Sequence, residues 1–128
     1  MWTYIQRTGN LYHDGALAAK GYSGRGTGMN NPMLEAVADT GPIPCDLYTI
    51  SRAFTHKTGG PFTLRLTPND GIAGETSRAG FLIHGDNADH TASHGCIILP
   101  RIMRLAVDAA VQDGDNQLEV LAEERMTA

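Results

Sequence analysis

Two stretches of this chain carry residue types suited to nucleophilic chemistry. Phe81-Leu82-Ile83-His84-Gly85-Asp86-Asn87 ends an apolar run on an imidazole, and Ser93-His94-Gly95-Cys96-Ile97 opens another on a thiol. A thiol attacks a carbonyl once it has lost its proton, and a nearby imidazole can take that proton and hold the ion pair. Anchoring each group at a strand end fixes its backbone while the side chain faces a cleft. Two strands joined by the intervening loop can therefore bring His84 and Cys96 within hydrogen-bond reach. Gly95 permits close backbone approach beside the thiol, and the N–H groups of Gly95 and Cys96 are candidates to stabilise a tetrahedral oxyanion. Gly85 leaves room for substrate beside the base. Asp86 is a candidate to position His84, although a solvated loop carboxylate is the plainer reading.

The elements that must hold these groups are mostly strands. Trp2 to Gln6 and Phe62 to Thr67 alternate apolar and polar residues, as half-buried strands do. Leu11 to Ala19 reads as a returning strand, and Leu47 to Phe54 is rich in β-formers. Gly80 to Ile83 and Cys96 to Leu99 are short apolar strands that deliver the two reactive groups. Gly21 to Pro32 and Pro68 to Ser77 read as loops, and Met33 to Ala38 fits a short helix or a strand. Pro100 sits where proline opens a helix, and Ile102, Leu105, Ala106 and Ala109 recur at helical spacing up to Gly114. Gln117 to Ala122 closes the chain as a strand. The expected fold is mainly β, one β-sandwich domain over residues 1–128 with one helix in the C-terminal region and short additional helices.

Composition narrows the function classes. The net charge is −4 with no Lys/Arg run, so the electrostatic footprint of a nucleic-acid binder is missing. No apolar stretch approaches the ~20 residues of a membrane span. Met1 to Gln6 lacks the basic region and apolar run of a Sec signal, so an extracytoplasmic substrate implies another export route. The two cysteines, Cys45 and Cys96, lie in different surroundings and read as separate free thiols. Cys45 reads as inert, and His13 and His56 as surface positions.

A metal site is the sharpest rival to a thiol mechanism, because His84, His90, His94 and Cys96 fall within one short stretch. Their spacing matches neither a paired short-spacer zinc pattern nor a helical His-Glu-x-x-His element. Neither a metal nor a cofactor is expected. Gly24-x-Gly26-x-Gly28 lacks the helix and lysine of a phosphate loop and reads as a loop flanking the substrate.

His84-Gly85 followed by Ser93-His94-Gly95-Cys96-Ile97 resembles the L,D-transpeptidase (YkuD-type) signature. Gly21-Tyr22-Ser23-Gly24, Asn30-Asn31-Pro32, Gly41-Pro42-Ile43-Pro44 with Tyr48-Thr49-Ile50, and Arg78 through His84 resemble a branch of small effectors delivered by type VI secretion. The resemblance implies Cys96 as acyl-forming nucleophile and His84 as base, with Ser93, His94 and Gly95 in the catalytic loop. It implies action on peptidoglycan tetrapeptide stems in the periplasm of target bacteria, by L,D-carboxypeptidase or D-amino-acid exchange chemistry. It also implies a secretion apparatus and a cognate immunity protein as partners. The family commonly places Arg directly after the Cys-Ile pair, where Ile98 stands here; Arg78 is the preferred substitute for binding a substrate carboxylate, with Arg101 the other candidate. A housekeeping L,D-transpeptidase that forms cross-links, or a non-catalytic wall-binding module, are the alternatives.

Overall fold

The chain's computed structural model describes residues 1–74 and 76–124. The expected loop Pro68 to Ser77 therefore includes one position, 75, outside the described residues. In chain order the strands are β1 (Trp2–Ile5), β2 (Asn10–His13), β3 (Ala16–Lys20), β4 (Tyr22–Ser23), β5 (Leu47–Ile50), β6 (Phe54–His56), β7 (Gly60–Pro68), β8 (Phe81–His84), β9 (Ile97–Ile98) and β10 (Gln117–Leu121). One α-helix, α1, spans Arg101–Gln112, and two short 3-10 turns cover Gly26–Gly28 and Pro32–Leu34. No helix among the described residues is long and apolar enough to cross a membrane.

The expected mainly-β architecture with a late helix is present. Where the expectation had one returning strand after β1, the chain makes two, because Asp14 and Gly15 turn it with positive φ values of 49° and 86°. The strand expected over Leu47 to Phe54 is likewise two, β5 and β6. Met33 to Ala38 contributes a 3-10 turn and irregular backbone, opened by Asn31, whose side chain accepts from the Met33 N–H.

The strands pair in the order β3-β2-β1-β10-β5-β7-β8-β9-β4, with β6 joined to β7. β3 and β4 stand at opposite ends of that path yet are separated in the chain by Gly21 alone. The sheet must therefore curl until its ends meet, which makes the layers of the sandwich two sides of one nearly closed sheet. Gly21 marks the closure: its N–H donates to the Gly9 carbonyl at 2.8 Å, and a Cβ there would lie 2.1 Å from the Ile98 carbonyl oxygen. Only glycine lets these backbones approach so closely.

The core follows from strand alternation. Trp2, Tyr4, Tyr48, Ile50, Leu64, Leu66, Phe81, Ile83, Ile97, Leu118 and Val120 pack in one apolar cluster closed by Val107 of α1. The helix packs a different face from the one its apolar spacing suggested. Arg104 and Val107 are buried, while Ile102 is 74 % and Leu105 42 % exposed. Arg104 turns inward because backbone carbonyls await it: Nε donates to Leu99, and Nη1 to Pro61 and Phe62, each at 3.1 Å. These bonds meet the cost of burying a cation, and orienting α1 for them leaves Ile102 and Leu105 outside.

Candidate active site

β8 and β9 run parallel, with Ile83 opposite Ile97 and His84 opposite Ile98. Parallel neighbours need a crossover of a dozen or so residues, and the loop Gly85 to Cys96 supplies it. Phe81, Ile83, Ile97 and Leu99 face the core. The alternation then turns Leu82, His84, Cys96 and Ile98 to the opposite face. Cys96 thus stands beside Leu82 and diagonal to His84, a separation of roughly 8 Å between Cα atoms for ordinary sheet spacings. Both side chains line one groove of about 690 Å³, together with His56, Thr58, Gly59, Asn87 and His94.

The backbone fixes the tautomer of His84. Its Nδ1 lies 2.8 Å from the Gly85 carbonyl oxygen, which can only accept, so Nδ1 carries the proton and Nε2 keeps its lone pair. Burial lowers the His84 pKa, and the Arg104 charge acts in the same direction against the Gly85 carbonyl and Asp86. Burial also raises the Cys96 thiol, opposed by the Leu82 N–H and the Arg78 guanidinium. Both shifts favour the uncharged forms, thiol and imidazole, over the ion pair.

A knot of hydrogen bonds holds the thiol loop. The buried Ser93 Oγ donates to the Cys96 carbonyl at 2.5 Å and accepts from the N–H groups of Gly24 (2.8 Å) and Gly95 (3.2 Å). Ser23 Oγ donates to the Gly95 carbonyl at 3.0 Å and accepts from Ile43 N–H at 2.8 Å. Ser93 therefore positions the loop. The Gly95 amide, expected to face an oxyanion, is committed to Ser93 instead. Gly95 itself has φ +123°, and a Cβ there would meet Arg78 Nη2 at 2.3 Å. Gly95→Ala should destabilise the fold by about 1–3 kcal/mol and lower kcat more than KM, read by thermal melting and steady-state kinetics.

Arg78 is spent on the same scaffold. Nη1 donates to the Glu35 and Pro42 carbonyls at 2.7 and 2.8 Å, and Nη2 to Gly41 and His94 at 3.1 and 3.0 Å. Its guanidinium also lies over the Phe81 ring, 5.3 Å from the centroid. Four of its five N–H groups are thus used internally, which disfavours the carboxylate-binding role expected of it. Arg101 lies over Phe62 at 5.2 Å from the ring centroid.

The remaining expected site residues fall around the rim. Asp86 accepts from Tyr22 O–H at 2.5 Å and Asn87 N–H at 2.8 Å, and its other oxygen pairs with His90 Nδ1 at 2.6 Å. It ties β4 to the crossover loop, and the Gly85 carbonyl, rather than Asp86, orients His84. Gly85 makes room for protein rather than substrate: a Cβ there would lie 2.9 Å from Arg104 Nη2. His94 lines the groove with an exposed ring 3.4 Å from Arg25 Nη1. Among the described residues the cluster of three potential metal ligands is His13, Asp14 and Asp115, on β2 and before β10. His84, His90, His94 and Cys96 are not drawn together in that way.

A base tautomer and a thiol thus share one groove. The model of the Tlde1 domain matches residues 17–120. The chain belongs to this family. Tlde1 domains form an L,D-transpeptidase-like family of type VI secretion effectors. No curated protein and no solved structure matches the chain.

The Tlde1 match runs from within β3 to within β10, so it contains every residue named above as lining the groove. Two features of this Tlde1 groove escaped the sequence reading. The Leu82 N–H lowers the Cys96 pKa by bonding the sulfur, a main-chain contribution that no residue type announces. His56, taken for a surface position, lines the groove. Its signal lay in the following Thr58-Gly59, whose amides turn back onto its ring.

Proposed function

We propose that this chain is a cysteine acyltransferase acting on the tetrapeptide stems of peptidoglycan, as an antibacterial effector in the periplasm of target cells. The observation that carries the reading is the Nδ1 bond of His84 to Gly85, which leaves a basic Nε2 in the groove that Cys96 shares. Membership in an effector family of L,D-transpeptidase-like proteins supports the substrate and the delivery route.

Nε2 of His84 takes the thiol proton as Cys96 Sγ attacks the carbonyl on the L-centre of the third stem residue. The tetrahedral intermediate collapses, the carbon–nitrogen bond breaks, and His84 returns the proton to the departing D-alanine amine. A thioester remains on Cys96. Water then attacks it, His84 takes a proton from that water, and the sulfur leaves as a thiol with the proton returned. This route is L,D-carboxypeptidase chemistry. A free D-amino acid in place of water gives exchange. Both deplete the donor stems from which a wall is cross-linked. A cognate immunity protein in the producing cell is the corresponding expected partner.

Incubating the protein with purified sacculi and profiling the muropeptides tests this. Loss of tetrapeptides with appearance of tripeptides and free D-alanine is the expected result. New cross-links between third residues would assign the housekeeping reaction, and unchanged profiles would remove the enzymatic reading. Export to the periplasm should swell or lyse cells, and cytoplasmic expression should spare them.

A further inference from the structure

Two histidines line the groove, and the main chain locks them into opposite tautomers. His56, the last residue of β6, begins the tight hairpin into β7, where His56 pairs with Gly60. Its Nδ1 accepts from the Thr58 N–H at 3.2 Å and the Gly59 N–H at 3.0 Å, with the Thr58 hydroxyl 3.0 Å away. A nitrogen that receives two amide hydrogens cannot carry its own. The neutral ring therefore bears its hydrogen on Nε2. Protonating Nδ1 would break both hairpin bonds, so His56 is built as a donor and not as a base. Nε2 has no partner among the described residues, and the Phe54 ring braces the imidazole at 6.0 Å between centroids and 73°.

The hairpin also places this donor relative to the reaction. Gly59 sits between the two rings: a Cβ on it would lie 3.4 Å from His84 Cβ and 3.5 Å from His56 Cβ. His84 must hand its proton to the leaving amine, so the departing residue lies against His84, and the Gly59 hairpin sets His56 beside that part of the groove. The oxygens of that residue are acceptors only. We propose that His56 binds the departing residue, its Nε2–H donating to the terminal carboxylate and so selecting a stem with a free chain end. This rests on the reaction proposed above and specifies its substrate: an exopeptidase site, not one that cuts within a longer peptide. The contrast with His84 is functional. One imidazole moves a proton; the other holds one still.

His56→Asn separates the donor from the hairpin, because Asn Oδ1 takes the place of Nδ1 while no group reaches the position of Nε2. Two probes are compared, a tetrapeptide stem ending in D-alanine and the same stem ending in D-alaninamide. The wild type should prefer the free acid by about 10–100-fold in kcat/KM, the range for a hydrogen bond to a charged group. In His56→Asn that preference should collapse to within a few-fold, with loss falling on the acid substrate alone. Alkylation of Cys96 by iodoacetamide should be unchanged. His56→Gln, which restores a donor near Nε2, should recover part of the preference and serves if the Asn variant does not fold. A preference unchanged in both variants, or equal loss on both substrates, overturns the proposal. Should no stem be turned over at all, the reaction assigned above falls on its own. His56 is then read by nitrogen NMR of the ring, where D-alanine but not D-alaninamide should shift the Nε2–H signal, and a ring protonated on Nδ1 would overturn the tautomer.

Discussion

Replacing Cys96 by alanine should lower turnover of stem peptides by about 10⁴-fold or more, the scale on which loss of a nucleophile is felt, while Cys45→Ala leaves it intact. The two thiols differ in surroundings rather than in chemistry. Cys45 donates to Gln6 Oε1 at 3.3 Å, lies beside Glu35, and is pushed up to about 12 by burial and that carboxylate. It lines none of the groove. Cys96 is raised too, yet it has the Leu82 N–H and Arg78 to favour the thiolate and His84 in the same groove to receive the proton. Cys96→Ser should also be strongly impaired, because a hydroxyl gives up its proton less readily than a thiol and His84 is oriented by the Gly85 carbonyl without the carboxylate that supports the imidazole in serine enzymes. D-Alanine release measured by mass spectrometry, beside a melting curve for each variant, separates lost chemistry from lost folding. Activity retained in Cys96→Ala would remove the thiol from the mechanism.

His84→Ala should cost about 10²–10⁴-fold, the range for a positioned general base. The pH profile carries further information. Burial holds the His84 pKa below its ordinary value of about 6.5, and the base form must be neutral to accept the thiol proton. kcat/KM should therefore rise with pH through an acid limb whose midpoint lies below 6.5, and stay level through neutral pH. The stability linkage has the same direction. A depressed folded pKa favours the fold above about 6.5, and that contribution fades as pH falls through the folded value. A limb centred at or above 6.5 in the wild type, or an unaltered limb in His84→Ala with residual activity, would contradict the assignment.

The sequence made the reactive pair and its strands legible for local reasons. β7 and β8 announce themselves by alternation and by an apolar run, and β10 by its pattern after the Asp115-Asn116 turn. Elements whose existence depends on distant partners did not. β4 is two residues in a glycine-rich stretch and exists because Tyr22 and Ser23 pair with Ile98 and Ile97. The inward face of α1 was misread because Arg104 looks like a solvent residue until the Leu99, Pro61 and Phe62 carbonyls are seen around it. Arg78 is cradled in the same way, its partners lying in the 35–42 segment and at His94. Long-range carbonyl cradles leave no mark in spacing, whereas strand periodicity does.

The position of β10 between β1 and β5 governs when the groove can form during synthesis. Within the sheet, the N-terminal β-meander reaches the strands that carry the groove through β10, the last strand in chain order among the described residues. Until Gln117–Leu121 has left the ribosome, the β1 and β5 edges that it bridges stay open, and the closure at Gly21 lacks its backing. Assembly thus waits on the most distant pairing in the chain, and topologies dominated by such pairings fold in milliseconds to seconds rather than microseconds. A nascent copy that lacks these residues has no closed sheet to hold the groove.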